Sequence, residues 1–250
     1  MQTKTRRTYF KTIVLVCAAT FMTGSVQAET FTSGDQQNTL IELYTSEGCS
    51  SCPPAEKYLN SLIKDPQLWK TTIPIALHVD YWDYLGWKDR FASPIHTQRQ
   101  REYARVNLQN TIYTPGFFVN GEPWRRGFFS SKPTLSKEQP GKLSLTLSKN
   151  QINAEFLPKE FDAAQPLSLT VAVLGMGLKT SIKAGENAGH SSSHEFVNLK
   201  YSVKNTNNAK WSFALPKYDQ MDATKLALVA WVSKKGDPRP IQSVGGYINR

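Results

Sequence analysis

The spacing of apolar positions changes character along this chain. In the first half, short apolar runs alternate with amphipathic stretches. Leu40, Ile41, Leu43 and Tyr44 form a run of strand length, closed by the turn residues Ser46 and Gly48. Ala55, Leu59 and Leu62 then repeat at i, i+4 and i+7, with Tyr58 and Ile63 widening the stripe, which predicts a helix. Pro53 and Pro54 suit its first turn, where N–H groups are not needed, and Asp65-Pro66 ends it. Ile73 to Val79 reads as a second buried strand, giving a β-α-β unit with parallel strands. Ser93-Pro94 opens a second helix running to about Leu108, with a weaker apolar face. Phe117 to Val119 is a strand, and Asn120-Gly121 turns it into a hairpin with Trp124 on the return strand.

From about Gly141 the texture becomes one of short, evenly spaced runs: 143–147, 152–157, 167–174, 180–183, 196–203, 211–215, 226–232 and 241–247. Several alternate strictly, such as Leu143-Ser-Leu-Thr-Leu147, and turn residues separate many of them. This predicts an antiparallel β sandwich or barrel. Ser130 to Pro140 reads as a linker, and Thr30 to Asn38 as a loose polar start. The expected domains are therefore 29–135 and 141–250.

The first 28 residues read as an export signal. Lys4, Arg6, Arg7 and Lys11 precede an apolar run of ten residues, Ile13 to Met22, and Val26-Gln27-Ala28 is a small-residue cleavage site. The run is too short to span a bilayer, which takes about 20 residues, so no stable membrane insertion is expected. Cys17 follows Val16, where a lipid-attachment box wants a small residue. The expected location is periplasmic or secreted. Removing this segment takes four basic and no acidic residues, lowering the net charge from +10 to +6. That modest surplus, densest from Lys88 to Arg105, suits a solvated surface, and an exported chain with no binding motif is not expected to bind nucleic acid.

Export leaves two of the three cysteines, Cys49 and Cys52, in an oxidising compartment. Strand, turn, Cys-x-x-Cys and helix together describe a dithiol redox site. Unpaired N–H groups and the positive dipole end at a helix start stabilise a thiolate, lowering its pKa from about 8.5. A link across two residues closes a very small loop, so a purely structural role is weak. Cys49 is expected to attack and Cys52 to resolve. A structural zinc site would need four ligands, with His78, His96, His190 and His194 the only histidines to complete two sulfurs, and neither a metal site nor a cofactor is expected. Copper(I) favours sulfur and needs fewer ligands, so a copper carrier or an interaction scaffold is the alternative.

The first half resembles thioredoxin-like oxidoreductases: Cys49-Ser-Ser-Cys52 starts a helix, and Thr114-Pro115 precedes Gly-Phe-Phe-Val-Asn-Gly. More closely, the chain resembles the secreted thioredoxin-like family called domain of unknown function 1223. The matching stretches are 42–55, 78–88, 113–115 and 185–189. The resemblance implies an α/β thioredoxin-like domain followed by an all-β antiparallel, sandwich-like domain. It also implies a cis Thr114-Pro115 bond beside the sulfurs, where an extended protein substrate carrying a thiol or disulfide adds as a strand. A thioredoxin fold closes with a long helix, yet Gly127 to Pro140 holds two prolines and many serines, so that helix is expected to be short or missing. Tyr81 to Pro94, with Trp82, forms either a wall of the site or a cap on the sheet. Asp80 either relays a proton to Cys52 or caps the loop. Glu186 and His194, in a polar loop, are secondary candidates.

Overall fold

The structure is a computed structural model that describes residues 2, 28–125, 132–159 and 165–249. All but two residues of the expected export signal, and the start of the expected linker, lie outside these. The strands are β1 (Glu29–Thr32), β2 (Thr39–Thr45), β3 (Thr72–His78), β4 (Gly116–Val119), β5 (Glu122–Pro123), β6 (Gly141–Ser148), β7 (Gln151–Pro158), β8 (Leu167–Met176), β9 (Leu178–Ser181), β10 (Ser191–His194), β11 (Val197–Thr206), β12 (Lys210–Ala214), β13 (Lys225–Lys234) and β14 (Pro240–Ile248). The helices are α1 (Pro53–Ser61) and α2 (Pro94–Val106).

One eight-stranded mixed sheet dominates, in the order β14-β13-β8-β11-β3-β2-β4-β5. A four-stranded antiparallel sheet, β1-β6-β7-β12, and a two-stranded arm, β10-β9, complete the strands. β8 shows why the large sheet is buried on both faces. Leu167, Leu169, Val171 and Val173 enter the core shared with the four-stranded sheet, whereas Ala172, Leu174 and Met176 enter the core around β2 and β3. The period-2 alternation of a strand thus feeds two cores at once, and from Val171 onward β8 reads as a continuous apolar run. Phe117 meets Tyr58 of α1 while its neighbour Phe118 stacks on Tyr103 of α2, so the two helices lie on opposite faces. Asn120 and Gly121 both take positive φ, as a tight hairpin between β4 and β5 requires.

The expected α/β thioredoxin-like domain followed by a β sandwich is overturned. Among the described residues, 44% lie in strands and 13% in helices, and the only α-helices are two short ones. The cause is an edge. β2 and β3 pair in parallel as expected, but the free edge of β3 accepts β11, with Ala76 opposite Val197 and the Ala76 amide bonded to the Phe196 carbonyl at 2.8 Å. Strands from both halves thereby share one sheet. No helix occurs in the described part of the expected linker. Residues 136 and 138 there accept bonds from Gln36 and Gln37 (2.6 and 2.9 Å), which pins this segment to the stretch between β1 and β2. The expected loose start, 30–38, overlaps β1, which pairs with β6.

The weak apolar face of α2 has a specific reason: the helix docks through polar groups. Its buried side chains are His96, Thr97, Arg99, Gln100, Tyr103 and Ala104. Arg99 Nε donates to Glu42 Oε1 at 2.7 Å, and the Tyr103 hydroxyl donates to the other oxygen of the same carboxylate. The guanidinium also lies 4.8 Å over the Trp231 ring on β13, a cation–π contact. Both charged side chains are almost wholly buried. Arg99→Ala is therefore expected to cost about 3–5 kcal/mol of unfolding free energy, because Glu42 stays buried without its cation. Arg99→Met combined with Glu42→Leu should recover much of that loss. Guanidinium unfolding followed by tryptophan fluorescence measures both, and a single-variant cost of ~0–1 kcal/mol, as for an exposed pair, contradicts the assignment.

Candidate redox site

Thr45 ends β2, and the chain turns through Ser46 to Ser51 before α1 begins. The Cys49 amide donates to the Ser46 carbonyl at 3.1 Å, and the Gly48 amide to Ser46 Oγ at 3.1 Å. Gly48 lets Trp82 pack closely: an added Cβ would stand 3.2 Å from the Trp82 Cβ. Cys52 is the N-cap of α1, with prolines in the first turn. Cys49 and Cys52 are joined in a disulfide, their Cα atoms 5.4 Å apart. Both cysteines are 0% exposed, while Ser50 and Ser51 between them face solvent.

The cover comes from the arm. Gly185, at φ +75°, brings its backbone against Trp87, where an added Cβ would lie 3.0 Å from the Trp87 Cβ. Buried Asn187 then donates through Nδ2 to the carbonyls of Glu47 (2.8 Å) and Cys49 (3.0 Å). Glu186 Oε2 accepts from the Ser50 amide at 3.2 Å. Asn60 of α1 donates to the Ser193 carbonyl at 2.6 Å and accepts from the Glu195 amide at 3.0 Å, tying α1 to β10.

Beneath the disulfide loop lies a buried polar floor. Glu47 accepts from Trp87 Nε1 at 2.8 Å and sits 3.1 Å from His194 Nε2, and its amide donates to Asp89 Oδ2 at 2.9 Å. Glu56 accepts from the Thr45 hydroxyl at 2.6 Å, and its other oxygen lies 3.5 Å from His194 Nδ1. His78 Nδ1 lies 2.6 Å from Asp89 Oδ2. Burial alone would push His78 down, but the Asp89 carboxylate outweighs it and lifts the imidazole to about 9. For Asp89 burial opposes, and the His78 ring prevails to hold the carboxyl below the usual range. His96, whose Nδ1 lies 2.7 Å from the His78 carbonyl, is pushed down to about 4, chiefly by burial.

The structure thus brings Cys49, Cys52, Glu186 and His194 to one place, the last through Glu47. Trp82 packs on Gly48 and donates through Nε1 to the Thr114 hydroxyl at 2.7 Å, and Thr114-Pro115 is cis. Asp80 goes elsewhere: its Oδ1 accepts from the Thr97 hydroxyl at 2.5 Å, tying the loop after β3 to α2. Glu47, Glu56, Asp89 and Asn187 are not singled out by the sequence. For Glu47 the available signal is its place two residues before Cys49; for Glu56, an acid in the first turn of α1.

A family profile described as Protein of unknown function (DUF1223) matches residues 40–233. The chain belongs to that family. The matched span runs from β2 through β13, so the cysteine loop, the arm and the polar floor all lie inside the family's region. No curated protein matches the chain. Among solved structures, it is similar to the X-ray structure of a protein from Agrobacterium tumefaciens, with a TM-score of 0.60 and 21% identity over 85% of this chain and 95% of that one. It is also similar to HBP35 of Porphyromonas gingivalis, with a TM-score of 0.55 and 16% identity over 86% and 76% of the two chains. At these identities the likeness is one of fold.

Because Asn187 holds two carbonyls of the cysteine loop, Asn187→Ala should let the arm lift more often. At a net ~1 kcal/mol per hydrogen bond, the open form gains roughly ten- to thirtyfold. The rate at which dithiothreitol reduces the disulfide, read by thiol trapping, should rise accordingly. An unchanged rate shows that the arm does not control access.

Proposed function

We propose that the protein is an exported thiol–disulfide oxidoreductase acting through Cys49 and Cys52. The observation that carries this reading is the pair's position at the N-terminus of α1, with Cys52 as its N-cap. The helix dipole there stabilises a thiolate, the species that exchanges disulfides. As a staple the link does little, since closing so short a loop is worth only about 2 kcal/mol in the chain-entropy view. In the oxidising direction, a substrate thiolate attacks Cys49 Sγ and Cys52 leaves as a thiolate. A second substrate thiolate then attacks the mixed disulfide, releasing Cys49, so two electrons pass from a substrate dithiol to the protein pair; the reverse sequence reduces a substrate disulfide. The signal-like pattern of residues 1–28 supports an extracytoplasmic setting in which such substrates occur. Among the described residues no helix is long and apolar enough to cross a membrane.

The full burial of both sulfurs favours a second reading, in which the pair is a structural link. Exchange assays separate the two. Under the redox reading, Cys49→Ser abolishes exchange with disulfide and dithiol substrates, while Cys52→Ser accumulates a mixed disulfide on Cys49. Failure of the purified protein to exchange with any such substrate, together with thiols that resist alkylation after forced reduction, leaves the structural link.

A further inference from the structure

The buried floor holds more donor atoms than its hydrogen bonds consume. One donor atom each from Glu56, His78 and His194 lies within 4.8 Å of the others. Each of these side chains has its remaining polar atom anchored. Asp89 occupies His78 Nδ1, leaving Nε2, which is fully buried, has no hydrogen-bond partner among the described residues, and gives up its proton when a metal binds. Glu47 takes His194 Nε2, leaving Nδ1 only 3.5 Å from Glu56 Oε2. Thr45 takes Glu56 Oε1. An imidazole held by a carboxylate through one nitrogen, with the other free, is how proteins orient histidines for a metal. Here two imidazoles are held by carboxylates around one space, His78 with Nε2 open and His194 with Nδ1 facing Glu56. The two rings are 5.2 Å apart and inclined at 75°, and Phe91 packs against both, restricting water.

We propose that Glu56, His78 and His194 form a binding site for a divalent transition metal of the zinc class. Two imidazoles and one carboxylate suit such an ion better than magnesium or calcium, which favour all-oxygen shells. Three protein ligands leave a fourth position for water or a second carboxylate. Zinc at ~2.0–2.2 Å from each donor sets tetrahedral donors ~3.4 Å apart, so the widest pair closes by up to roughly 1.4 Å, a movement that Glu56, 9% exposed, can share. The ion also offsets the burial of three carboxylates, Glu47, Glu56 and Asp89, in one cluster. The site uses no sulfur and goes beyond the redox reading, standing whether or not Cys49 and Cys52 exchange.

The test keeps the disulfide intact, so the cysteines cannot contribute ligands. Chelator-treated full-length protein is titrated with zinc, and long-range proton–nitrogen spectra follow its four imidazoles. One zinc per chain should bind, shifting His78 and His194 but not exposed His190 or hydrogen-bonded His96. Cobalt should give the visible bands of a low-coordinate site, and magnesium no response. Glu56→Gln should abolish stoichiometric binding, and Asp89→Asn should weaken it about 10–100-fold. Absent one-to-one binding, shifts confined to His190, or binding unchanged in Glu56→Gln overturns the site. Should a variant fail to fold, the spectra of the native protein decide alone.

Discussion

A carboxylate taken out of water must be matched by donors, or the fold loses several kcal/mol. Glu47 is such a carboxylate, and its matching organises the site. Its side chain meets Trp87 and His194, its amide meets Asp89, and its carbonyl receives Asn187. Four contacts from two distant stretches of chain, 87–89 and 187–194, converge on a residue two positions before Cys49. The cysteine loop is therefore held by the aromatic loop after β3 and by the arm between β9 and β10. Its buried position follows from satisfying Glu47.

The large sheet makes that convergence possible. β11 joins the edge of β3, and the residues just before β11 carry the arm and His194 to the C-terminal end of β2 and β3. Without this junction the arm would have no fixed relation to the cysteines. The same junction places Asn198 against His96, whose other ring nitrogen meets the His78 carbonyl. Polar contacts, rather than an apolar stripe, thus carry both α2 and the floor of the site. Such contacts are directional, which suits a place where several titratable groups must keep fixed neighbours.

Much of the local structure was legible in the sequence, because apolar runs report burial directly. β2, β3, α1, the Asn120-Gly121 hairpin and most of the later strands fall where periodicity puts them. The overall fold was not legible, since period 2 marks a strand but does not say whose edge it joins. β10, Ser191 to His194, is polar and reads as loop because it pairs only with β9 on a small arm. α2 reads as marginal because its docking face is His96, Arg99, Gln100 and Tyr103. Of the site, the two cysteines, Trp82, Thr114, Pro115, Glu186 and His194 were visible through motif and loop chemistry. Glu47, Glu56 and Asp89 were not, because a buried carboxylate looks like an exposed one until its partners are known. Which of its two expected roles Asp80 takes was not legible for a related reason: its partner, Thr97, lies on another element.

The arm and the cysteine loop are tied through Glu47 and Asn187 and should therefore open as one mechanical unit. Hydrogen exchange read by mass spectrometry on peptides covering 46–52 and 185–194 of the oxidised protein tests it most directly. Both peptides should be protected and open together, with one shared opening free energy. Rapid exchange across 185–194 while 46–52 stays protected would contradict it.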